Sequence, residues 1–405
     1  MEAEKGKNKF SDRGFSSANR FISGKSNFLN SLTLATKLLM KKLSLFIIVL
    51  FITHFSFAQD SAFTINGHFE KIKDGTIFLN IYEGDKTVKD SSAINDGDFK
   101  FTGFVASPYF AVLTMPVDKS NDYFTFYVEP DTINISGRGD SLRLLTVKGS
   151  PVNADDQLLK DRMKYVTKWE EANSKLYEEA YKNKNKRVMD SLDNVDFDVL
   201  DEKRKVVASF IKAYPGSLRG AMAISENFAY YAEASDVEPL YEMLTPEIKS
   251  SDKGKEVKKL IDVYSTVAIG KQAPDITQST PGGKDITLSS LHGKYVLVDF
   301  WASWCGPCRR ENPNIVAAYN QFKDKGFTIF GVSYDTKKDR WEKAIKDDKL
   351  NWNQVSDLKG WKNSTSDQYG IKAIPSNLLL DKNGTIIAKN LFGRKLTDKL
   401  SELMP

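Results

Sequence analysis

Cys305 and Cys308 are the only two cysteines in 405 residues. No third cysteine is present from which to build a disulfide framework. No second Cys or His pair at ligand spacing completes a four-coordinate zinc site. The pair therefore does redox chemistry with itself, or it does no chemistry. Residues 295–300 (YVLVDF) read as a buried strand, and a helix opens at about Gly306. Cys305 falls at the junction. A helix start offers free backbone N–H groups and partial positive charge. Both favour a thiolate, which makes Cys305 the expected nucleophile. Cys308 lies one turn on, on the same side of the helix, and can resolve a mixed disulfide. Pro307 suits a first helical turn, where its missing N–H costs nothing. Trp304, Gly306 and Pro307 are expected to line the surface that a substrate meets, and Trp301 to pack in the core.

Asp299 stands inside the apolar strand. An ionised carboxylate is expensive to bury, so its pKa should rise. Beneath Cys308, such a carboxyl could take the thiol proton during resolution. The alternative is a solvated face of an edge strand. Pro313 falls inside the helix and should kink it.

These residues need elements to position them, and the chain divides into several textures. Residues 40–58 have a charged start, a short apolar run and the small-x-small ending Ser56-Phe57-Ala58, the layout of a cleaved secretory signal. The run is short for a membrane span, and an uncleaved anchor is the alternative. Residues 1–39 read as a mis-called start or a disordered extension. Residues 1–58 hold nine of the 58 basic and three of the 53 acidic side chains. The remaining 49 basic and 50 acidic groups are almost balanced, so the net +5 gives no argument for a nucleic-acid partner. Export would place the cysteines where disulfide chemistry persists, in the periplasm.

Over residues 60–150, the stretches 63–69, 76–82, 99–104 and 132–135 alternate with period two. Turns such as Asn95-Asp96-Gly97-Asp98 separate them, predicting a small β-sandwich or meander. His68 is alone there and reads as an ordinary strand residue. Residues 151–269 are helical. Helices are predicted over 155–181, 188–211, 217–231 and 237–244, with another starting at Thr245-Pro246. The apolar stripe of the first (Leu158, Leu159, Met163, Val166, Trp169) serves either an intrachain partner or a second copy of the chain. From residue 270 the order is βαβ followed by ββα.

The stretch Trp301-Ala302-Ser303-Trp304-Cys305-Gly306-Pro307-Cys308, with Asp299 six before Cys305 and Pro313 eight after, resembles the thioredoxin active site. Residues 270–405 are similar to the TlpA/ResA family of extracytoplasmic thiol–disulfide oxidoreductases. The resemblance implies an α/β thioredoxin-like C-terminal domain, here preceded by an all-β domain and a helical region. It implies that Ile374 and Pro375 form the cis-proline element facing the dithiol, with the Ile374 backbone pairing with an extended substrate. One departure is visible. Residues 330–335 (FGVSYD) lack the lysine that cytosolic thioredoxin carries near its buried aspartate.

The expected activity is reduction of protein disulfides by the Cys305–Cys308 pair. No organic cofactor or metal is implied, and a membrane thiol electron donor is expected by analogy. A rival reading is an exported binding or scaffold protein with the redox domain as an accessory. A peroxidase is a weaker third reading.

Overall fold

The computed structural model describes residues 61–84, 86–116 and 122–405. The expected leader at 40–58 and the extension before it lie outside the described residues. Strands β1 (Ser61–Phe69), β2 (Asp74–Glu83), β3 (Lys86–Asn95), β4 (Asp98–Val105), β5 (Tyr109–Thr114), β6 (Tyr123–Val128), β7 (Thr132–Gly137) and β8 (Thr146–Lys148) form one sheet in the order β6-β5-β2-β3-β4-β1-β7-β8. β3 and β4 pair in register only at Asn95↔Asp98, across a turn with Asp96 and Gly97 at positive φ. The order thus comes close to parting into two four-stranded halves. Their apolar faces, including Ile65, Phe69, Leu79, Phe101, Leu113, Phe126 and Ile133, share one core. The four alternating stretches all lie in strands. His68 pairs with Asp98 at 2.7 Å.

Ser150 and Pro151 start α1 (Pro151–Lys182), with the Ser150 hydroxyl accepting from the Asn153 N–H at 3.2 Å. The Asn153 amide also bonds the Tyr127 backbone in both directions, at 2.8 and 2.7 Å, fastening the helix to β6. Next come α2 (Lys186–Ala213), α3 (Leu218–Asn227), α4 (Ala234–Met243), α5 (Pro246–Ser250) and α6 (Asp252–Thr266). The α1 stripe is largely spent inside the chain: Leu159 and Val166 are buried with Val207 and Phe210 of α2, while Leu158 and Trp169 stay partly exposed.

Most helix ends fall within four residues of expectation, and two differences have a local cause. The third helix ends at Asn227 instead of 231. The helix expected from Thr245 is two helices, because Ser251 turns extended and its hydroxyl caps the second through the Gly254 N–H at 3.1 Å. A Cβ on Gly254 would stand 2.0 Å from the Ile248 carbonyl oxygen, so only glycine permits this break.

In the C-terminal region, β9 (Thr277–Ser279) and β10 (Asp285–Thr287) form a small hairpin. The main sheet has the order β13-β12-β11-β14-β15. Its strands are β11 (Tyr295–Trp301), β12 (Phe327–Ser333), β13 (Asn353–Val355), β14 (Ser376–Leu380) and β15 (Ile386–Lys389). β11 is central, parallel to β12 and antiparallel to β14. Helices α7 (Gly306–Phe322), α8 (Lys338–Asp347), α9 (Ser364–Gln368) and α10 (Arg394–Leu403) complete it. One face buries Val296, Val298 and Phe300 with Trp341 and Tyr369. The other buries Leu297 with Ile315, Ala318 and Phe322 of α7 and Leu396 and Leu400 of α10. This is the thioredoxin-like arrangement. Among the described residues no helix is long and apolar enough to cross a membrane.

Candidate functional site

The centre of the sheet delivers the two cysteines. β11 ends at Trp301 and α7 begins at Gly306, with Pro307 in its first turn. Cys305 is the N-cap of α7, and its sulfur accepts from the Cys308 N–H at 3.1 Å. The two sulfurs are joined in a disulfide with the Cα atoms 5.3 Å apart. Cys305 is 4% exposed and Cys308 1%, so Cys305 is the more accessible residue of the pair.

Facing Cys305 is the segment before β14. The Ile374–Pro375 peptide is cis, and the Ile374 carbonyl oxygen lies 3.6 Å from the Cys305 sulfur. In the disulfide that sulfur has no proton to donate, so this is a contact, not a hydrogen bond. Ile374 thus stands opposite the reactive bond.

Trp301 is buried, and its indole N–H donates to Gln354 at 2.9 Å. Gly331 makes room for that amide: a Cβ there would meet the Gln354 oxygen at 2.4 Å. Trp304 is 52% exposed and packs at 6.1 Å from Trp361, itself 47% exposed. The pair forms an aromatic rim.

Asp299 is 3% exposed on the central strand, which removes the edge-strand alternative. It shares a face of β11 with Leu297, which packs against α7. It lies two residues nearer the strand end from which α7 returns. Burial, and secondarily the charge of Glu311, push its carboxyl up from 3.8 to about 7. Glu311 sits three residues beyond Cys308 in α7. No lysine enters this balance, in keeping with the departure noted in residues 330–335.

Three supports were not foreseen. Buried Asp335 accepts from the Ser303 N–H at 2.9 Å and the Ser333 hydroxyl at 2.8 Å, tying the loop before Trp304 to the end of β12. Arg309 donates to Asp348 at 2.8 Å and to the Ser303 carbonyl at 3.2 Å. Asn312 joins Asp348 at 2.6 Å, holding the first turns of α7 against the end of α8. Trp361 completes the rim. An aspartate two residues after the β12 run was the only sequence signal for any of them.

A disulfide at a helix start, opposite a cis-proline segment and beside an exposed indole, can exchange with an attacking thiol, and the dithiol that reduction leaves can attack a second disulfide. Known proteins bear on this directly. The thiol-disulfide oxidoreductase ResA of Bacillus thuringiensis subsp. konkukian is 31% identical over 136 residues, covering 34% of this chain and 76% of its own. The chain belongs to the ResA family of thiol–disulfide oxidoreductases. The ResA of Bacillus subtilis is 30% identical over 132 residues, 31% of this chain and 72% of that protein. Residues 269–389 match the AhpC/TSA family, and residues 63–155 match a domain of unknown function, DUF4369. Among solved structures, the thioredoxin domain of a thiol-disulfide oxidoreductase from Bacteroides vulgatus is 43% identical, covers 34% of this chain and 99% of that one, and has a TM-score of 0.33. As a ResA-family member, this protein is a disulfide oxidoreductase.

Proposed function

We propose that this oxidoreductase is exported to the periplasm and reduces protein disulfides there. The observation that carries the reading is the Cys305–Cys308 disulfide at the α7 N-cap, facing cis-Pro375. In the reduced protein, the Cys305 thiolate attacks one sulfur of a substrate disulfide. The substrate's S–S bond breaks, its other sulfur leaves as a thiolate, and a mixed disulfide forms on Cys305. Asp299 takes the Cys308 proton, and the Cys308 thiolate attacks the Cys305 sulfur. The mixed disulfide breaks, the second substrate sulfur leaves, and the Cys305–Cys308 bond forms. Two electrons pass to the substrate, and the two released thiolates take up protons. A thiol donor at the membrane restores the dithiol, so no organic cofactor or metal enters the cycle.

Trp304, Gly306 and Pro307 present the surface around the bond, and the Ile374 backbone receives an extended substrate segment as an added strand. The N–H of Cys308, already directed at the Cys305 sulfur, supports the thiolate.

Insulin reduction tests the reading. Cys305→Ser is expected to abolish turnover, and unchanged turnover would refute it. Direction is read from the reduction potential: a value near about −270 mV marks a donor of electrons, and one near about −120 mV an oxidant.

A further inference from the structure

The cis-proline segment is held partly from outside the thioredoxin-like domain. Tyr231 follows α3, with φ at 51°. A tyrosine takes up this left-handed conformation only where its surroundings over-determine it. The turn brings the Tyr231 hydroxyl to the Pro375 carbonyl, to which it donates at 2.9 Å. The ring packs at 5.3 Å from Phe197 of α2 and 6.0 Å from Phe392. Nearby, Lys389 of β15 pairs with Glu233 at 2.8 Å. Two kinds of contact therefore cross this seam: aromatic and ionic packing that joins the regions, and one hydrogen bond aimed at the loop opposite the disulfide.

We propose that Tyr231 is a positioning residue of the redox site: its hydroxyl pins the Pro375 carbonyl and thereby fixes where Ile374 stands for an incoming strand opposite Cys305. The local chemistry favours this. Proline has no N–H, so the carbonyl is the only backbone polar group of Pro375 that can be tethered. On the C-terminal side, Ser376 is already fixed by pairing with Phe300 of β11. The hydroxyl supplies the second restraint, on the residue adjoining Ile374. Burial raises the Tyr231 pKa to about 12, so the donor proton stays in place at neutral pH. The helical region thus contributes to substrate binding by a protein that reads disulfides elsewhere in the chain.

The inference rests on the strand-pairing reading of Ile374, and the test separates the two. In the full-length protein, KM and kcat are measured for insulin, together with the rate of reduction of a small aromatic disulfide that has no backbone to pair. Tyr231→Phe keeps the ring and its packing. It is expected to raise the insulin KM by about fivefold, the effect of one net hydrogen bond, with kcat and the small-disulfide rate unchanged. Glu233→Gln, which weakens the seam elsewhere, is expected to lower the unfolding temperature and leave KM unchanged. A native KM in Tyr231→Phe overturns the proposal. So does an equal slowing of both substrates, or a KM rise in Glu233→Gln as well, since each assigns the effect to docking. If the unmodified protein reduces neither substrate, the functional reading falls first, and the proposal with it.

Discussion

Asp299 carries the clearest pH signature at the scale of single residues. Folded, its carboxyl titrates at about 7; unfolded, it returns to 3.8. Between those values the folded chain holds a proton that the unfolded chain releases, so this residue's contribution to stability falls as pH rises through that window and then levels off. Asp299→Asn removes the slope. In urea denaturation of the oxidised protein, the variant is expected to gain on the order of 4 kcal/mol over the native chain at about pH 8 and almost nothing at about pH 4. Equal gains at both pH values would mean the carboxyl is not neutral in the fold. In the proposed cycle the same substitution removes the acceptor for the Cys308 proton. Insulin reduction near neutrality is then expected to fall by at least about 100-fold. The sequence made Asp299 visible because an acid inside the run YVLVDF has a cost that can be named in advance. Trp361 carried no such mark: an exposed indole in a single 3-10 turn acquires meaning only when Trp304 is found beside it.

Among the elements, the ends of β11 and β12 are tied together by Asp335. It lies two residues beyond β12, and Ser303 lies two beyond β11. Asp335→Ala strands the half-buried Ser303 N–H and the buried Ser333 hydroxyl. It is expected to cost about 3 kcal/mol in urea denaturation and to slow insulin reduction, because the loop bearing Trp304 and Cys305 loses its anchor. A variant as stable and fast as the native protein would remove Asp335 from the site's support.

Elements were legible in sequence where one face alone was buried. β1 alternates because its inner face meets the core, and it was foreseen. β3 was not: of its ten residues only Ile94 is buried, so no period of two is written in it. β6 was hidden for the opposite reason. Phe126, Tyr127 and Val128 are all buried, since Tyr127 packs outward against Val152 of α1 and Met222 of α3. Such burial depends on a partner from another element, which a local pattern cannot encode.

For the whole chain, the contacts between regions are polar as well as apolar. Arg219 of α3 donates to Asp156 of α1 and to Glu226, each at 2.8 Å, and its guanidinium lies over the Tyr127 ring of β6 at 5.3 Å. Arg219 and Asp156 are both buried. Arg219→Ala leaves the Asp156 carboxylate with Lys160 alone, at 2.7 Å. The expected loss is about 3 kcal/mol by urea denaturation, at the low end for a broken buried pair because Lys160 remains. The small-disulfide rate of the folded variant is expected to be unchanged, and a fall in that rate would tie this network to the chemistry. Residues 156, 219 and 226 carry no joint sequence signal, because their pairing arises only when α1 and α3 cross beside β6.

The exposed indole of Trp304 adjoins Cys305 in the chain. An excited indole loses its emission to a nearby disulfide by electron transfer, and a pair of thiols accepts that electron far less readily. The protein's own ultraviolet fluorescence therefore brightens when the bond opens and dims when it closes, giving a label-free optical record of each half of the catalytic cycle as it happens.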